Sequence, residues 1–534
     1  MSSRKSSIRN IFASILLQIC SSFAVAQTAV PGEWLVQFRP NKRAHIKSFL
    51  KNQAFSSHQV SDRIMLVKAN SPASFLKLDG IERVEPNYLY QITKTPNDTM
   101  YSGLWGLRNL GQADAAGILG RQGVDLNAEM AWEISTGSKK VVVAVIDTGV
   151  DFKIPDLKEN AWINPIEAAG VAQVDDDKNG YVDDIHGFNF VSNTGDPTDD
   201  NGHGSHCSGT IGARGNDKYG VVGLNWEVSI MAIKFISNDG TGTLENAVKA
   251  IDYARKNGAQ IMSNSWGGTS ESLILKQAIS EANDAGILFV AAAGNNGADN
   301  DKVGFYPAGY AVDNIISVAA INNRARLANF SNFGLNKVHI SAPGENILST
   351  TPSGFENLSG TSMAAPHVTG VAALLMASEP TLGFREVRDR ILANTRPLFR
   401  LKHRVSSGGM IDAFAVLSNT KPGLDLTDPA LLGGHQASQI STEHPYANSK
   451  EEVFKVSIPG AKRIAIHFAK FETEANFDFV EIQNGAGKTL DKLSGYHSDE
   501  YTETIDGDTI VLRLTSDRSV NIYGFDVDEV FFEY

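Results

Sequence analysis

Cysteine is nearly missing from this sequence: among 534 residues there are two, Cys20 and Cys207. Such a chain is not a disulfide scaffold, and Cys20 falls in a leader-like segment, so Cys207 stands alone and stability must come from packing, helped by any bound metal. Long apolar runs are scarce as well. Beyond the N-terminal segment no stretch approaches the roughly 18 to 20 apolar residues that a membrane-spanning helix requires. Positive charge is also in short supply. The formal net charge is −12, and residues 1–95 hold 13 of the 48 basic residues but only 5 of the 60 acidic ones, which leaves the remainder strongly acidic. That balance argues against nucleic acid or an anionic membrane as a partner, and it offers carboxylates to divalent cations. Internal repeats and low-complexity tracts are absent.

At the N-terminus, Arg4, Lys5 and Arg9 precede "IFASILLQIC" and then "AVAQ". Charged, apolar and small residues in that order predict a secretory signal peptide, residues 1–26, cut after Ala26. The mature chain is therefore expected outside the cytoplasm, extracellular or, where there is an outer membrane, periplasmic. Ile19 is too bulky to precede a lipidated Cys20.

Residues 27–95 read as a small α+β unit, with "EWLVQF" and "RIMLVKA" as strands and "RVEPNYLYQ" as a last extended segment. From about residue 120 strands and helices alternate. "KKVVVAVIDTG", "SIMAIKFI", "AQIMSNSWGG", "ILFVAAAGN" and "NIISVAA" read as buried strands. Thr243 is placed to cap a helix that Gly258 ends, and Gly286 stops the helix over 271–285. Repeated alternation predicts an α/β fold with a doubly wound parallel sheet, whose working residues sit beyond the carboxyl ends of the strands. Residues 419–445, rich in Pro, Gly, Ser and Thr, read as a linker, and 446–534 as short alternating strands of a β-sandwich.

Three segments carry chemistry. "VVVAVIDTGVD" puts Asp147 at the end of a buried strand, "DDNGHGSHCSGT" puts His203 in a Gly-rich turn entering a helix, and "SGTSMAAPHVTG" supplies Ser362. Singly these are a turn former, a capping or core histidine and a helix cap. Together, in the chain order Asp, His, Ser and each beside glycine, they form the set in which a base activates a serine hydroxyl and a carboxylate orients the base.

With "AAAGNNG" added, these motifs resemble those of the subtilisin-like serine proteases, the subtilases, over roughly residues 96–418. The resemblance implies a secreted serine endopeptidase acting on proteins or peptides, with Ser362 as nucleophile, His203 as general base and acid, and Asp147 orienting the imidazole. It implies Asn295 as the oxyanion-hole amide, Ser265, Trp266 and Gly267 as the edge that pairs with substrate backbone, and Phe305 at the floor of the first side-chain pocket. Residues 27–95 resemble the family's inhibitor-type propeptide, so the chain's own propeptide is an expected partner, released by self-processing between Gln91 and Asn97. A non-catalytic binding scaffold is the rival reading, and the full set of expected residue types speaks against it.

In "QVDDDKNGYVDDIHGFN", Asp175, Asp177, Asn179, Gly180, Tyr181 and Asp183 follow the first nine positions of an EF-hand loop, but the twelfth is His186 rather than Glu. Subtilases carry calcium in similar acidic insertions, so structural Ca²⁺ is the expected cofactor, with Asp184 as a substitute ligand. Asp156 and Asp217 resemble positions of a second calcium-stabilised loop. Residues 446–534 look similar to a CUB domain without its usual cysteines, with Glu474, Asp478 and Asp517 as candidate calcium ligands and a protein or glycan as ligand. The rival there is a prepeptidase-type sandwich. Cys207, one helical turn after His203, reads either as a thiol beneath the site or as a small buried hydrophobe.

Overall fold

The computed structural model describes residues 29–52, 55–69, 78, 80–88, 94–115, 117, 119–422, 428–475 and 477–534. The expected signal peptide and residues 91–93 of the expected maturation segment lie outside them. Two compact units divide after Ile92.

The first unit is an antiparallel sheet of β1 (Ala29–Phe38), β2 (Ser56–Ser61), β3 (Ile64–Lys68) and β4 (Ile81–Tyr88), in the order β2-β3-β1-β4, with helix α1 (Arg43–Asn52). Ile46 and Leu50, one turn apart on α1, are buried in one cluster with Val36, Phe38, Met65 and Val67 of the sheet.

In the second unit, the strands are β5 (Gly137–Asp147), β6 (Gly187–Asn189), β7 (Glu227–Lys234), β8 (Ile261–Asn264), β9 (Leu288–Ala292), β10 (Ile315–Ile321), β11 (Ile340–Pro343), the hairpin β12 (Ile347–Thr351) and β13 (Gly354–Leu358), then β14 (Arg396–Pro397) and β15 (Gly409–Met410). Nine of them form one sheet, β14-β15-β11-β10-β9-β8-β5-β7-β6, parallel except for the edge strand β14. Four of the helices packed on it are α2 (His203–Gly212), α3 (Leu244–Lys256), α4 (Leu273–Asp284) and α5 (Thr361–Ser378).

The pleat of β5 explains why it reads as unbroken apolar sequence. Val143 and Val145 enter one core with residues of α2 and α5, whereas Ala144 and Ile146 enter the other with α3 and α4. As expected, Thr243 caps α3 by accepting a hydrogen bond from Asn246 N at 3.2 Å. Helix α5 runs through the middle of the domain, so nearly its whole circumference is apolar. Between Thr361 and Met376 every residue is buried except Ser362.

The C-terminal strands are β16 (Gly434–Ser441), β17 (Glu451–Ser457), β18 (Arg463–Glu472), β19 (Phe479–Asn484), β20 (Thr489–Leu493), β21 (Glu500–Tyr501), β22 (Ile505–Asp506), β23 (Thr509–Thr515) and β24 (Gly524–Glu533). They form two antiparallel sheets, β16-β24-β18-β21 with β22 also on β18, and β17-β23-β19-β20. Alternate residues such as Ile464, Ile466 and Phe468, or Ile510, Leu512 and Leu514, fill the space between them. Strand β16 lies inside the stretch read as a linker. Its sequence "GHQASQIS" has little apolar alternation because it is largely exposed, and main-chain pairing with β24 places it. No described helix is long and apolar enough to cross a membrane.

Candidate active site

Asp147, Ser265 and the 293–295 turn all follow directly from the carboxyl ends of adjacent parallel strands β5, β8 and β9, while His203 and Ser362 open helices α2 and α5 above the same edge. Helix α2 approaches β5 so closely that a β-carbon on Gly204 would collide with the carbonyl oxygen of Gly149. Only glycine beside the histidine permits that approach.

His203 Nδ1 stands 2.8 Å from Asp147 Oδ1, and Asp147 is completely buried. The same Oδ1 accepts the Thr148 amide at 2.7 Å. Burial opposes charge on His203, but the adjoining Asp147 carboxylate and more distant Asp199 outweigh it and hold the imidazolium above its ordinary range. The Ser362 hydroxyl donates to the carbonyl of Ser265 at 3.0 Å, and Ser265 Oγ returns a bond to Ser362 O at 2.9 Å.

Asn295 Oδ1 is occupied by two donors, Thr361 N at 2.8 Å and Thr361 Oγ1 at 2.9 Å. Its Nδ2 is thereby turned the other way. A β-carbon built on Gly360 would lie 3.5 Å from both Asn295 Nδ2 and Ser362 N, so the two nitrogens flank one point close to the Ser362 side chain. Asn332 supports that turn from behind, its Oδ1 accepting the amides of Asn296 (2.9 Å) and Ala298 (3.0 Å).

Ser265, Trp266 and Gly267 follow the carboxyl end of β8. Trp266 packs edge-on against Phe235, with ring centroids 4.8 Å apart. Phe305 lies between the two strand-end turns: a β-carbon on Gly267 would be 2.5 Å from its Cε1, and one on Gly294 would be 3.0 Å from its Cδ2. Cys207 is wholly buried, its Sγ donating to Ser362 O at 3.3 Å, and burial pushes its thiol well above the ordinary range. A thiol held protonated in this way is a packing group rather than a reactive one.

The acidic insertion closes into a compact cluster. Asn179 Nδ2 bridges Asp177 and Asp184, and the fully buried Asp184 also accepts the Tyr253 hydroxyl at 2.6 Å. Asp175 accepts the amides of Asn179 and Gly180, while Asp183 turns to accept Gln173 N at 2.8 Å. The Tyr181 ring packs against Phe188, Phe190 and Tyr253. The sequence reading missed Glu167, a buried carboxylate whose oxygens come within 4.8 Å of those of Asp175 and Asp177. Glu167 arrives from upstream and binds the insertion's main chain, Oε1 accepting Asp176 N at 2.7 Å and Asp177 N at 3.1 Å and Oε2 accepting Asp183 N at 3.0 Å.

Asp156 is fully buried, with Oδ2 accepting Val221 N at 2.9 Å and Oδ1 without a hydrogen-bond partner among the described residues. Burial first, then repulsion from Asp217 and Asp98, push its carboxyl up to about 7. Asp98 was not anticipated either. Its Oδ2 accepts Asn216 N at 2.8 Å, and its buried Oδ1 likewise has no partner among the described residues. In the sandwich, carboxylate oxygens of Glu474, Asp478 and Asp517 gather within 4.8 Å.

Comparison with known proteins agrees with this geometry. Residues 138–420 match the subtilase family, Peptidase_S8, and residues 433–528 match the CUB domain. The chain is 36% identical over 357 residues to a thermophilic serine proteinase of Bacillus sp. strain AK1, covering 65% of this chain and 78% of that protein. It is 39% identical over 254 residues to subtilisin DY of Bacillus licheniformis, covering 47% of this chain and 82% of that protein. It is 36% identical over 307 residues to subtilisin-like protease 1 of Plasmodium berghei, spanning 51% of that protein's length. The chain thus belongs to the subtilase family, as a subtilisin-like serine endopeptidase with a C-terminal CUB domain.

Proposed function

We propose that the chain is a secreted endopeptidase, made as a proenzyme that matures itself, and that Ser362, His203 and Asp147 carry out acyl transfer. The observation that carries this reading is the Asp147–His203 pair at 2.8 Å, together with Asn295 Nδ2 and Ser362 N, each 3.5 Å from one point close to the Ser362 side chain. On substrate binding the hydroxyl turns from Ser265 O to His203 Nε2, a realignment common when a free site takes up substrate. His203 takes the proton as Ser362 Oγ attacks the scissile carbonyl. The oxyanion is received by Asn295 Nδ2 and Ser362 N. His203 then gives its proton to the leaving amine, and water repeats the sequence on the acyl-enzyme to release the second product.

Substrate backbone lies along Ser265–Gly267, pairing that is indifferent to side chains. Choice comes from the pocket that the Phe305 ring floors, which favours small residues before the scissile bond. The all-oxygen clusters at Glu167, Asp175, Asp177 and Asp184, and at Asp156, Asp217 and Asp98, are the places for Ca²⁺ as a structural cofactor: in the second, the buried Oδ1 atoms of Asp156 and Asp98 lack donors among the described residues and would be neutralised by a hard cation. Residues 27–95, an α+β unit with its own core, serve as the inhibitory propeptide, and the CUB domain is available to a protein or glycan ligand.

The test is intact mass of the secreted protein, wild type beside Ser362→Ala, with and without a fluorophosphonate. Wild type trimmed near residue 95 and labelled at Ser362, with the variant untrimmed and unlabelled, is expected. A Ser362→Ala protein with undiminished peptidase activity would sink the mechanism.

A further inference from the structure

The seam between the subtilase domain and the CUB domain is a cluster of charges. Arg324 donates to Asp491 Oδ1 at 2.9 Å and to Leu490 O at 3.0 Å, and Arg326 forms a short ion pair with the other oxygen of Asp491. Arg400 lies 3.3 Å from Glu500, and Arg326 also approaches that carboxylate at 3.7 Å. Arg324 comes within 3.9 Å of Glu503. Arg326, Arg400 and Asp491 are buried. A buried cluster of this kind fixes orientation, because each charge depends on its partners to offset lost hydration.

Arg324 and Arg326 sit on a short turn after β10 that leads to the oxyanion loop. Asn322 Oδ1 accepts the amides of both Arg324 and Arg326, and Ala325 between them is held at φ +61°, a strained conformation for alanine. Ser331 Oγ ties the turn back to Ala320 N at 2.9 Å. At its far end, Phe330 O accepts Gly297 N at 2.8 Å, and Asn332 holds the amides of residues 296 and 298. Asn329, in the middle, reaches the CUB domain at Ser494 O over 3.4 Å. One continuous hydrogen-bonded segment therefore has CUB carboxylates on its first half and the backbone around Asn295 on its second.

We infer that the CUB domain is a working part of the peptidase: by clamping Arg324 and Arg326, Asp491 acts as a positioning residue that holds the 322–332 segment, and through it the Asn295 loop, in register for oxyanion binding. The inference rests on the peptidase reading above. Its signature is a loss in kcat that passes through Asn295, without a change in substrate binding.

The experiment is a double-mutant cycle in the full chain after maturation: wild type, Asp491→Ala, Asn295→Ala and the double variant, on one chromogenic peptide, with active sites counted by fluorophosphonate. Asp491→Ala is expected to lower kcat about tenfold with KM within about twofold and full labelling. In the Asn295→Ala background the same change is expected to cost less than about twofold, because the positioned group is already gone. If Asp491→Ala yields no folded protein, Arg324→Ala, which keeps the Arg326–Asp491 pair, takes its place in the cycle. Equal fractional losses in both backgrounds, a change in KM alone, or wild-type kcat in Asp491→Ala overturns the inference. A wild type that takes up no label and hydrolyses nothing removes the peptidase reading and the inference with it, whereas a labelled, fully active Asp491→Ala removes the inference alone.

Discussion

Asn295 Oδ1 is hydrogen-bonded by both the amide and the hydroxyl of Thr361, at 2.8 and 2.9 Å. Two donors at one end assign the carboxamide's orientation, so its N–H₂ faces the point shared with Ser362 N. Asn295→Ala is expected to reduce kcat by about 10² to 10³ with little effect on KM, as for loss of one oxyanion donor. Thr361→Val, which keeps the amide but loses the hydroxyl, should lower kcat by roughly tenfold, and Thr361→Ser should restore most of it. Steady-state kinetics on one peptide series checks all three, and a Thr361→Val enzyme with wild-type kcat would show that the second donor does not matter.

In the proposed mechanism the Asp147 carboxylate, by raising the His203 imidazolium, sets the pH at which activity appears. His203 must be neutral to accept the Ser362 proton, and burial alone would favour that form, yet contact with Asp147 raises the imidazolium above its ordinary value of 6.5. Activity is therefore lost as pH falls through a value above 6.5, and the acid limb of kcat/KM is expected there. Asp147→Asn removes the attraction, so the limb should move to lower pH while kcat falls by about 10⁴ through loss of the correct tautomer. An acid limb that stays in place in Asp147→Asn would assign the shift to another group.

How far the site could be read from sequence depended on how local its determinants are. Asp147, His203, Asn295 and Ser362 each stand in a short glycine-bordered segment at the end of a strand or the start of a helix, so one window of sequence carries both the element and the candidate group. The parallel sheet was legible for the same reason, since strands covered on both faces are continuous apolar runs. Glu167 and Asp98 were not legible, because each meets its partners only through folding. Glu167 joins Asp175 and Asp177 from a separate short helix, and Asp98 reaches Asn216 across 118 residues. Arg326 and Asp491 stand 165 residues apart in two domains, and an isolated arginine or aspartate gives no sign of its partner. Strand β16 escaped notice because its side chains are largely exposed and its position depends on main-chain pairing.

Calcium at the Asp156 cluster gives a prediction with a definite sign. In metal-free protein the Asp156 carboxyl is held up to about 7 by burial and by Asp217 and Asp98, against an ordinary 3.8. Between those values the folded state binds more protons than the unfolded state, so this group's contribution to stability falls as pH rises from about 4 to about 7. In chelator, Asp156→Asn should therefore gain thermal midpoint relative to wild type between pH 5 and pH 8. With Ca²⁺ the order should reverse, because the cation needs the ionised carboxylate that asparagine lacks. Thermal unfolding of both proteins at the two pH values, with and without Ca²⁺, checks this, and the same order in all four conditions would remove Asp156 from the set of ligands.

The Phe305 ring determines how much room lies between the Gly267 and Gly294 turns. Its Cε1 and Cδ2 already stand 2.5 and 3.0 Å from where β-carbons on those glycines would lie, so a large substrate side chain entering there must displace it. The wild-type enzyme is expected to prefer alanine, glycine or serine before the scissile bond and to turn over phenylalanine or tyrosine poorly. Phe305→Gly removes the ring and opens a slot lined by backbone. A pocket gaining room for a ring gains about 2 kcal/mol or more of transferable apolar burial, so kcat/KM for the aromatic substrates should rise by roughly 30-fold relative to alanine. Because the triad and Asn295 are untouched, fluorophosphonate labelling should be unchanged. A panel of peptides differing only at that residue reads the outcome directly. If Phe305→Gly keeps the wild-type order of preference, the ring is not the floor of the pocket, and specificity must be sought along Ser265–Gly267.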